Sequence, residues 1–297
     1  MNVLIGGSNG LIGKVLVDKL RSEGHRVVRL VRRETNSIDE IKWDIPKGMI
    51  DITSIPEIDY VIHLGGAPIA QRRWSSSVCD ELWDSRIDST RLLVEAIGSM
   101  SVKPKAFLCA SAIGIYGERG DEELTEDSNK GDGFLSNLSS EWEEVATKAP
   151  VDRIVHLRFG VVLSPNGGAL SKMLLPFRLG LGGRIGNGRH YMSWITLSDA
   201  VSAVMFLLKD SEVGGAVNIV SPYPVRNKEF TRLLGLTLRR PVFLPVPILT
   251  LRLLYGDMVD EVLLASQRVN PKVLTEEGFQ FHQPKLETAL PPLLKKL

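Results

Sequence analysis

The chain is short of the features that sort a protein most quickly. It has two cysteines in 297 residues, Cys79 and Cys109, and no Cys-x-x-Cys pair. That excludes a disulfide framework and a thiolate zinc site, and it fits a reducing compartment. No metal site is expected. Net charge is +1, so no overall field draws the chain to nucleic acid or to an anionic membrane, and any basic site must be local. The arginine pairs are isolated and do not form a stripe with interleaved aromatics, which argues against nucleic acid. No apolar run is long enough to span a bilayer, and the chain opens on a strand without a leader. A cytoplasmic protein with no membrane partner is expected. Internal repeats, low-complexity tracts and flexible linkers are also missing. With 43% hydrophobic and 24% charged residues, the composition is that of an ordinary globular protein, long enough to bury a sizeable core.

The most informative stretch is the first. Asn2 to Ile5 is a short apolar run that reads as a buried strand. Gly7-Ser8-Asn9-Gly10-Leu11-Ile12-Gly13 follows, with glycines at three-residue spacing. Apolar residues at 11, 12, 15, 16 and 20 then mark one face of a helix. Strand, glycine turn and helix together form a dinucleotide cradle: backbone N–H groups approach a pyrophosphate, and the helix N-terminus favours its charge. Position 8 is serine, so this is not the common G-x-G-x-x-G form. The second strand, 26–31, ends in Arg32-Arg33. An NAD site carries an acid there, about 20 residues after the glycines, for the ribose 2′-hydroxyl. An arginine suits a 2′-phosphate instead. The expected cofactor is therefore NADP(H), with Arg32 on the phosphate and Arg33 a solvated charge.

The first half alternates strand and helix, which predicts a parallel sheet covered on both faces. Strands are expected at 2–6, 26–31, 41–43, 59–65, 105–111 and 153–159, and helices at 11–23, 76–99 and 134–148. After residue 164 the pattern changes. Residues 164–194 are glycine-rich, with one helical piece near 169–179. A helix follows at 197–209 and a strand at 216–220. Beyond Pro222, prolines punctuate two helical runs near 248–255 and 257–268. A nucleotide-binding domain of residues 1–164 and 196–220 is expected, with a substrate lobe of 165–195 and 221–297 docked on its sheet.

Several residues invite a chemical reading. His63, inside an apolar strand, reads as a hydrogen-bonded core residue. Ser111, at the end of the 105–111 strand, either bonds a substrate oxygen or caps backbone. Tyr116 is placed beside the predicted cleft. Arg72 and Arg73, followed by a helix with Glu81, Asp84 and Arg86, suit a phosphate or carboxylate, or else these charges form surface ion pairs such as Asp84 or Glu81 with Arg86. The glycine-rich loop 182–188 reads as a mobile lid or a turn. Trp194 packs on a ligand or in the core.

Together these pieces resemble the extended short-chain dehydrogenase/reductases. More narrowly, the chain is similar to the atypical 39U type, described as epimerase family proteins, whose bacterial members often carry a cell-division-inhibitor name. The matching stretches are Arg72-Arg-Trp74, Asp84-Ser-Arg86, Met173 to Gly183, Ser193-Trp-Ile195 and the tail from Leu244-Pro-Val-Pro247 through Phe279. They cover essentially the whole chain. The resemblance implies a Rossmann-type doubly wound α/β sheet with a smaller C-terminal substrate lobe. It also implies NADP(H), and an oxidoreductase or sugar-nucleotide-epimerase-like activity on a small polar molecule. It points to Val31 and Arg32 at the adenosine phosphate, to Leu64 and Gly65 after the fourth long strand, to Glu81 and Arg86 on the next helix, and to Val162. A homodimer through the 76–99 and 134–148 helices is one arrangement it implies. Cys109, Ala67 and Thr196 depart from its usual Ser, Glu and His.

One pair that ordinary members use is missing. They carry Tyr-x-x-x-Lys, the lysine lowering the tyrosine pKa so that the phenol passes a proton as hydride moves. The five tyrosines here, 60, 116, 191, 223 and 255, are followed four residues on by Leu64, Gly120, Ile195, Asn227 and Val259. On the helix that should hold the pair, Leu135 and Ser139 take its places. Ser111 and Tyr116 are left as catalytic candidates. Turnover stays open beside a silent, cofactor-binding regulatory or scaffold role.

Overall fold

The computed structural model describes residues 1–51, 57–209 and 212–295. The first half runs β1 (Asn2–Gly6), α1 (Leu11–Ser22), β2 (Arg26–Val31), β3 (Glu40–Asp44), β4 (Met49–Ile50), β5 (Tyr60–His63), α2 (Ser76–Ser99), β6 (Ala106–Ala112), β7 (Glu123–Leu124), α3 (Phe134–Thr147) and β8 (Arg153–Phe159). The second half runs β9 (Val161–Leu163), α4 (Gly168–Arg178), β10 (Tyr191–Met192), β11 (Trp194–Thr196), α5 (Leu197–Lys209), β12 (Gly215–Ile219), β13 (Val225–Arg226), α6 (Asn227–Leu238), α7 (Ile248–Tyr255), β14 (Arg268–Val269), α8 (Lys272–Glu276) and α9 (Leu286–Leu294).

Eight strands form one sheet in the order β12-β8-β6-β5-β1-β2-β3-β4. Every pairing is parallel except the antiparallel β3–β4 edge. Parallel strands with helices on both faces have no solvent side, which is why β1 and β6 read as unbroken apolar runs. On one face α1 and α5 bury Leu16, Leu20, Val204 and Leu208 against Val3 and Ile5. On the other, α2 and α3 bury Leu93, Ile97 and Trp142 against Leu4 and Phe107. The chain lays β2, β3 and β4 to one side of β1 and the remaining strands to the other. The strand order therefore reverses between β1 and β5, and in open α/β sheets the ligand crevice lies at that reversal, beyond the carboxyl ends of the strands.

A third apolar cluster joins α4, α6 and α9 through Leu170, Phe177, Trp194, Phe230, Leu234 and Leu290. Here the sequence expectations need correction. Helices α6 and α9 were hidden by the prolines around them, and α9 contains Pro291 and Pro292. The expected helical run 257–268 is a single π turn, Val259–Leu264, after which the chain extends and β14 pairs with β7. Trp194 is wholly buried and donates from Nε1 to Tyr223 O at 3.0 Å, so it is a core residue.

Two buried polar groups fix the packing. Asp199, on the first turn of α5, is buried and accepts the backbone N–H groups of His282 (3.1 Å) and Gln283 (2.9 Å). It clamps the C-terminal segment onto the sheet layer. His63 ends β5 with no exposure. Its Nε2 lies 2.9 Å from Ser89 Oγ, which itself donates to Ser85 O at 2.7 Å. The serine proton is thus committed, and His63 must be the donor through Nε2–H. Its Nδ1 has no partner among the described residues. Burial, and next the Arg86 charge, pull its pKa down to about 4 from 6.5.

Two outcomes are expected. Asp199→Ala strands two backbone donors and should lower unfolding stability by about 3 kcal/mol, read by urea denaturation. His63 folds neutral, so the unfolded chain binds its proton first. The stability it contributes is whole above pH 6.5 and is lost as pH falls toward 4. In His63→Gln, the loss of melting temperature over that window should be shallower than in the parent protein.

Candidate functional site

The crevice between β1 and β5 opens into a cleft of about 600 Å³. The turn from β1 into α1 forms its floor. Gly7 has φ +80°, and a Cβ there would fall 2.5 Å from the Leu64 carbonyl carbon. A Cβ on Gly13 would fall 2.3 Å from Gly7 O. Strand, helix and the start of the next loop therefore meet backbone to backbone. The first helical bond of α1 is Lys14 N–H to Gly10 O at 3.0 Å. Its N-cap, Gly10, offers no side chain, and no acid lies in its first turn. The amides of Leu11, Ile12 and Gly13 therefore have no acceptor within the helix. Ser8 is buried in the same turn, and its Oγ has no partner among the described residues. Orphan donors, a buried free hydroxyl and a helix dipole make a cradle for a phosphate group.

Gly7, Ser8, Asn9 and Gly10 line the cleft, together with Val31, Arg32, Leu64, Gly65 and Glu81. Leu11, Ile12 and Gly13 stand behind this surface. Leu11 leans on Gly167 and Gly168, and Ile12 packs against the core cluster that Val162 also meets. Val162 and Arg86 do not line the cleft. Arg86 is buried and donates to Leu82 O (3.0 Å) and Ala67 O (3.1 Å), with Trp142 5.3 Å from its guanidinium. Burial pulls its pKa down to about 10. It holds the turn at Gly66-Ala67 in place from below. Trp43, Ile45, Pro68, Gln71 and Ser85 also line the cleft, and nothing in their spacing marks them in the sequence.

The two arginines after β2 separate cleanly. Arg33 is consumed by Glu40, through Nη2–Oε1 at 2.7 Å and Nη1–Oε2 at 2.9 Å. Arg29 joins the same carboxylate. The Arg33 hydrogen bonds, and then the Asn36 N–H, push the Glu40 carboxyl down to about 2. Arg33 is exposed, as its position suggests, and its charge is paired with Glu40. Arg32 is exposed at the cleft edge and has no ion pair among the described residues. The other basic pair is engaged elsewhere. Arg72 bonds Glu81 at the cleft rim, and Arg73 donates to Leu253 O at 3.0 Å.

Tyr116 is not beside the cleft, which corrects the sequence reading. It is fully buried. Its hydroxyl donates to Asn218 Oδ1 at 2.7 Å and accepts from Arg158 Nη1 at 2.9 Å. Burial raises its pKa against the pull of Arg158, so the phenol is held neutral. Ser111 is also buried and donates to Glu143 Oε1 at 2.6 Å. Arg158 reaches the same carboxylate through Nε (2.8 Å) and Nη2 (2.9 Å). Burial raises the Glu143 pKa, but the bonds from Arg158 outweigh it and hold the group ionised. Leu135 and Ser139, on α3, are buried too, and Leu135 lies against Gly114. One functional link escaped the sequence altogether. Glu261, on the π turn, accepts the N–H groups of Phe134 (3.0 Å) and Leu135 (3.1 Å), capping α3 from the C-terminal region. The glycine-rich loop 182–188 is a packed turn: Ile185 N–H donates to Asn227 Oδ1 at 2.8 Å.

The NAD dependent epimerase/dehydratase family matches residues 3–220, and a domain of unknown function, DUF1731, matches 246–291. The chain is 41% identical to an epimerase family protein of Mycobacterium bovis, over 97% of this chain and 96% of that one. It is 38% identical to the epimerase family protein SDR39U1 of Mus musculus, over 98% of each. The crystal structure of human epimerase family protein SDR39U1 (isoform2) with NADPH matches with TM-score 0.92 at 36% identity, covering 100% of both chains. UDP-glucose 4-epimerase from Thermotoga maritima, 20% identical with TM-score 0.76, shares the fold. This chain belongs to the NAD dependent epimerase/dehydratase family, in the group of epimerase family proteins that includes SDR39U1.

Proposed function

We propose that this protein binds NADP(H) in the β1–β5 cleft and is an atypical short-chain dehydrogenase/reductase acting on a small polar substrate. The observation that carries the cofactor choice is the division of labour between Arg32 and Arg33. Glu40 takes Arg33 and leaves Arg32, among the described residues, the one arginine lining the cleft. A guanidinium without a carboxylate partner, at the end of β2, suits a 2′-phosphate and lacks the acid a ribose 2′-hydroxyl would want. The Ser8 hydroxyl and the α1 amides suit the pyrophosphate. The human SDR39U1 crystallised with NADPH supports the same choice. Residues 165–195 and 221–297 are read as the lobe that completes the substrate side.

When bound, the nicotinamide supplies hydride, and the protein must orient the substrate and supply or accept a proton. No local group does the second task well. Ser111 gives its proton to Glu143, and Tyr116 is sealed between Arg158 and Asn218. In this reading neither is the catalytic acid. A substrate that carries its own acidic group, or a water admitted with it, closes the proton path. The same burial favours a second reading, a cofactor-binding regulatory protein without turnover.

Calorimetry tests the cofactor assignment. Arg32→Ala should weaken NADPH by about 10- to 100-fold, the worth of a charge-assisted hydrogen bond, and leave NADH within about threefold. Arg33→Ala should alter stability more than cofactor preference. Equal loss of both nucleotides in Arg32→Ala would sink the 2′-phosphate assignment. Turnover is tested by following NADPH absorbance against sugar nucleotides and small carbonyls. Oxidation by any of them supports the reductase, whereas flat traces at high enzyme with intact NADPH binding select the second reading.

A further inference from the structure

The mean charge of the chain conceals an uneven distribution. Residues 165–198 carry Lys172, Arg178, Arg184 and Arg189 and no aspartate or glutamate. Residues 230–256 carry Arg232, Arg239, Arg240 and Arg252, again with no acid. The fold brings the two stretches together. Ile185 bridges to Val246, Val246 N–H donates to Arg184 O at 2.8 Å, and Gly186 N–H donates to Val246 O at 3.3 Å. Arg252 is paired with Asp260. Arg178, Arg184, Arg239 and Arg240 are exposed and form no ion pair among the described residues.

The same two stretches also carry exposed apolar side chains. Leu179, Leu181, Phe243, Leu244, Leu249 and Leu253 are all exposed, Phe243 by 89%. Helix α7, with the sequence Ile-Leu-Thr-Leu-Arg-Leu-Leu-Tyr, has no buried residue. An isolated helix so short is marginal in water, and monomeric proteins rarely leave a large contiguous apolar patch bare.

We propose that the end of α4, residues 239–246 and α7 together seat the protein on an anionic lipid surface. Phe243 and the leucines enter the boundary between headgroups and acyl chains, and the arginines meet lipid phosphates. Charge selects this occupant. A two-fold contact between copies would set the patch on itself and bring arginine against arginine. Exposure agrees, because α7 has no buried residue and presents Leu249, Leu253 and Leu254 to solvent. The site is peripheral: among the described residues no helix is long and apolar enough to cross a membrane. The inference stands apart from the cofactor assignment.

Co-sedimentation of the full chain with lipid vesicles tests it. Vesicles of phosphatidylcholine with about a third phosphatidylglycerol should pellet the protein, neutral phosphatidylcholine vesicles should not, and about 0.5 M NaCl should release it. The F243S/L249S/L253S variant should bind at least about tenfold more weakly, and R239Q/R240Q about tenfold. Both should keep the parent circular dichroism spectrum and melting temperature, since these side chains are exposed. Absence of pelleting, or equal pelleting with neutral vesicles, overturns the proposal. So does a dimer in sedimentation velocity that F243S/L249S/L253S dissociates, because a second copy would then cover the patch.

Discussion

The close approach of three backbone segments governs this molecule. Gly7, Gly13 and the Leu64–Gly65 peptide touch with no side chain between them, since a Cβ at either glycine would overlap backbone atoms. That contact sets the angle at which α1 leaves β1, and hence the direction of its unpaired amides. The N-cap of α1, Gly10, carries no side chain to close the helix. The N-terminus of α1 is left electrostatically incomplete in a place that solvent and a ligand can reach. The eight-stranded sheet extends from this junction in both directions, and the cleft exists because its order reverses there.

Much of this was legible because it is local. Strand β1, the glycine turn, α1 and β2 follow within 31 residues and obey short-range rules of period and turn chemistry. The long helices α2, α3 and α5 carry enough apolar repeats to be found. Helices α6 and α9 were obscured because nearby prolines signal a break, and only packing against α4 shows that they persist. The two arginines illustrate the same limit. Arg33 meets Glu40 because β3 lies parallel to β2, and pairing of that kind is decided by the sheet. Tyr116 was misplaced for a stronger version of this reason. Its partner Asn218 comes from a strand 102 residues away, and no local pattern announces a bond that seals a side chain from a cleft.

A buried network surrounds the two residues left as catalytic candidates, Ser111 and Tyr116. Ser111, Glu143, Arg158, Tyr116 and Asn218 tie β6, α3, β8 and β12 together by charge-assisted and neutral hydrogen bonds. Every polar group invoked there has a partner, which in a low-dielectric interior favours one arrangement over alternatives. A proton relay needs the opposite, a group poised between two protonation states near the working pH. Glu143 is held ionised and Tyr116 neutral, each in fixed hydrogen bonds.

Rigidity here reaches the C-terminal region. Glu261 caps α3 at Phe134 and Leu135, Asp199 clamps the segment at His282 and Gln283, and Arg73 holds the end of α7 through Leu253 O. Helix α3 is therefore completed by a carboxylate from a turn more than a hundred residues later. A displacement of the π turn would remove that carboxylate and leave the Phe134 and Leu135 amides without it. Such coupling needs no relay of side-chain motions. One shared cap is enough to tie the start of α3 to the position of the π turn.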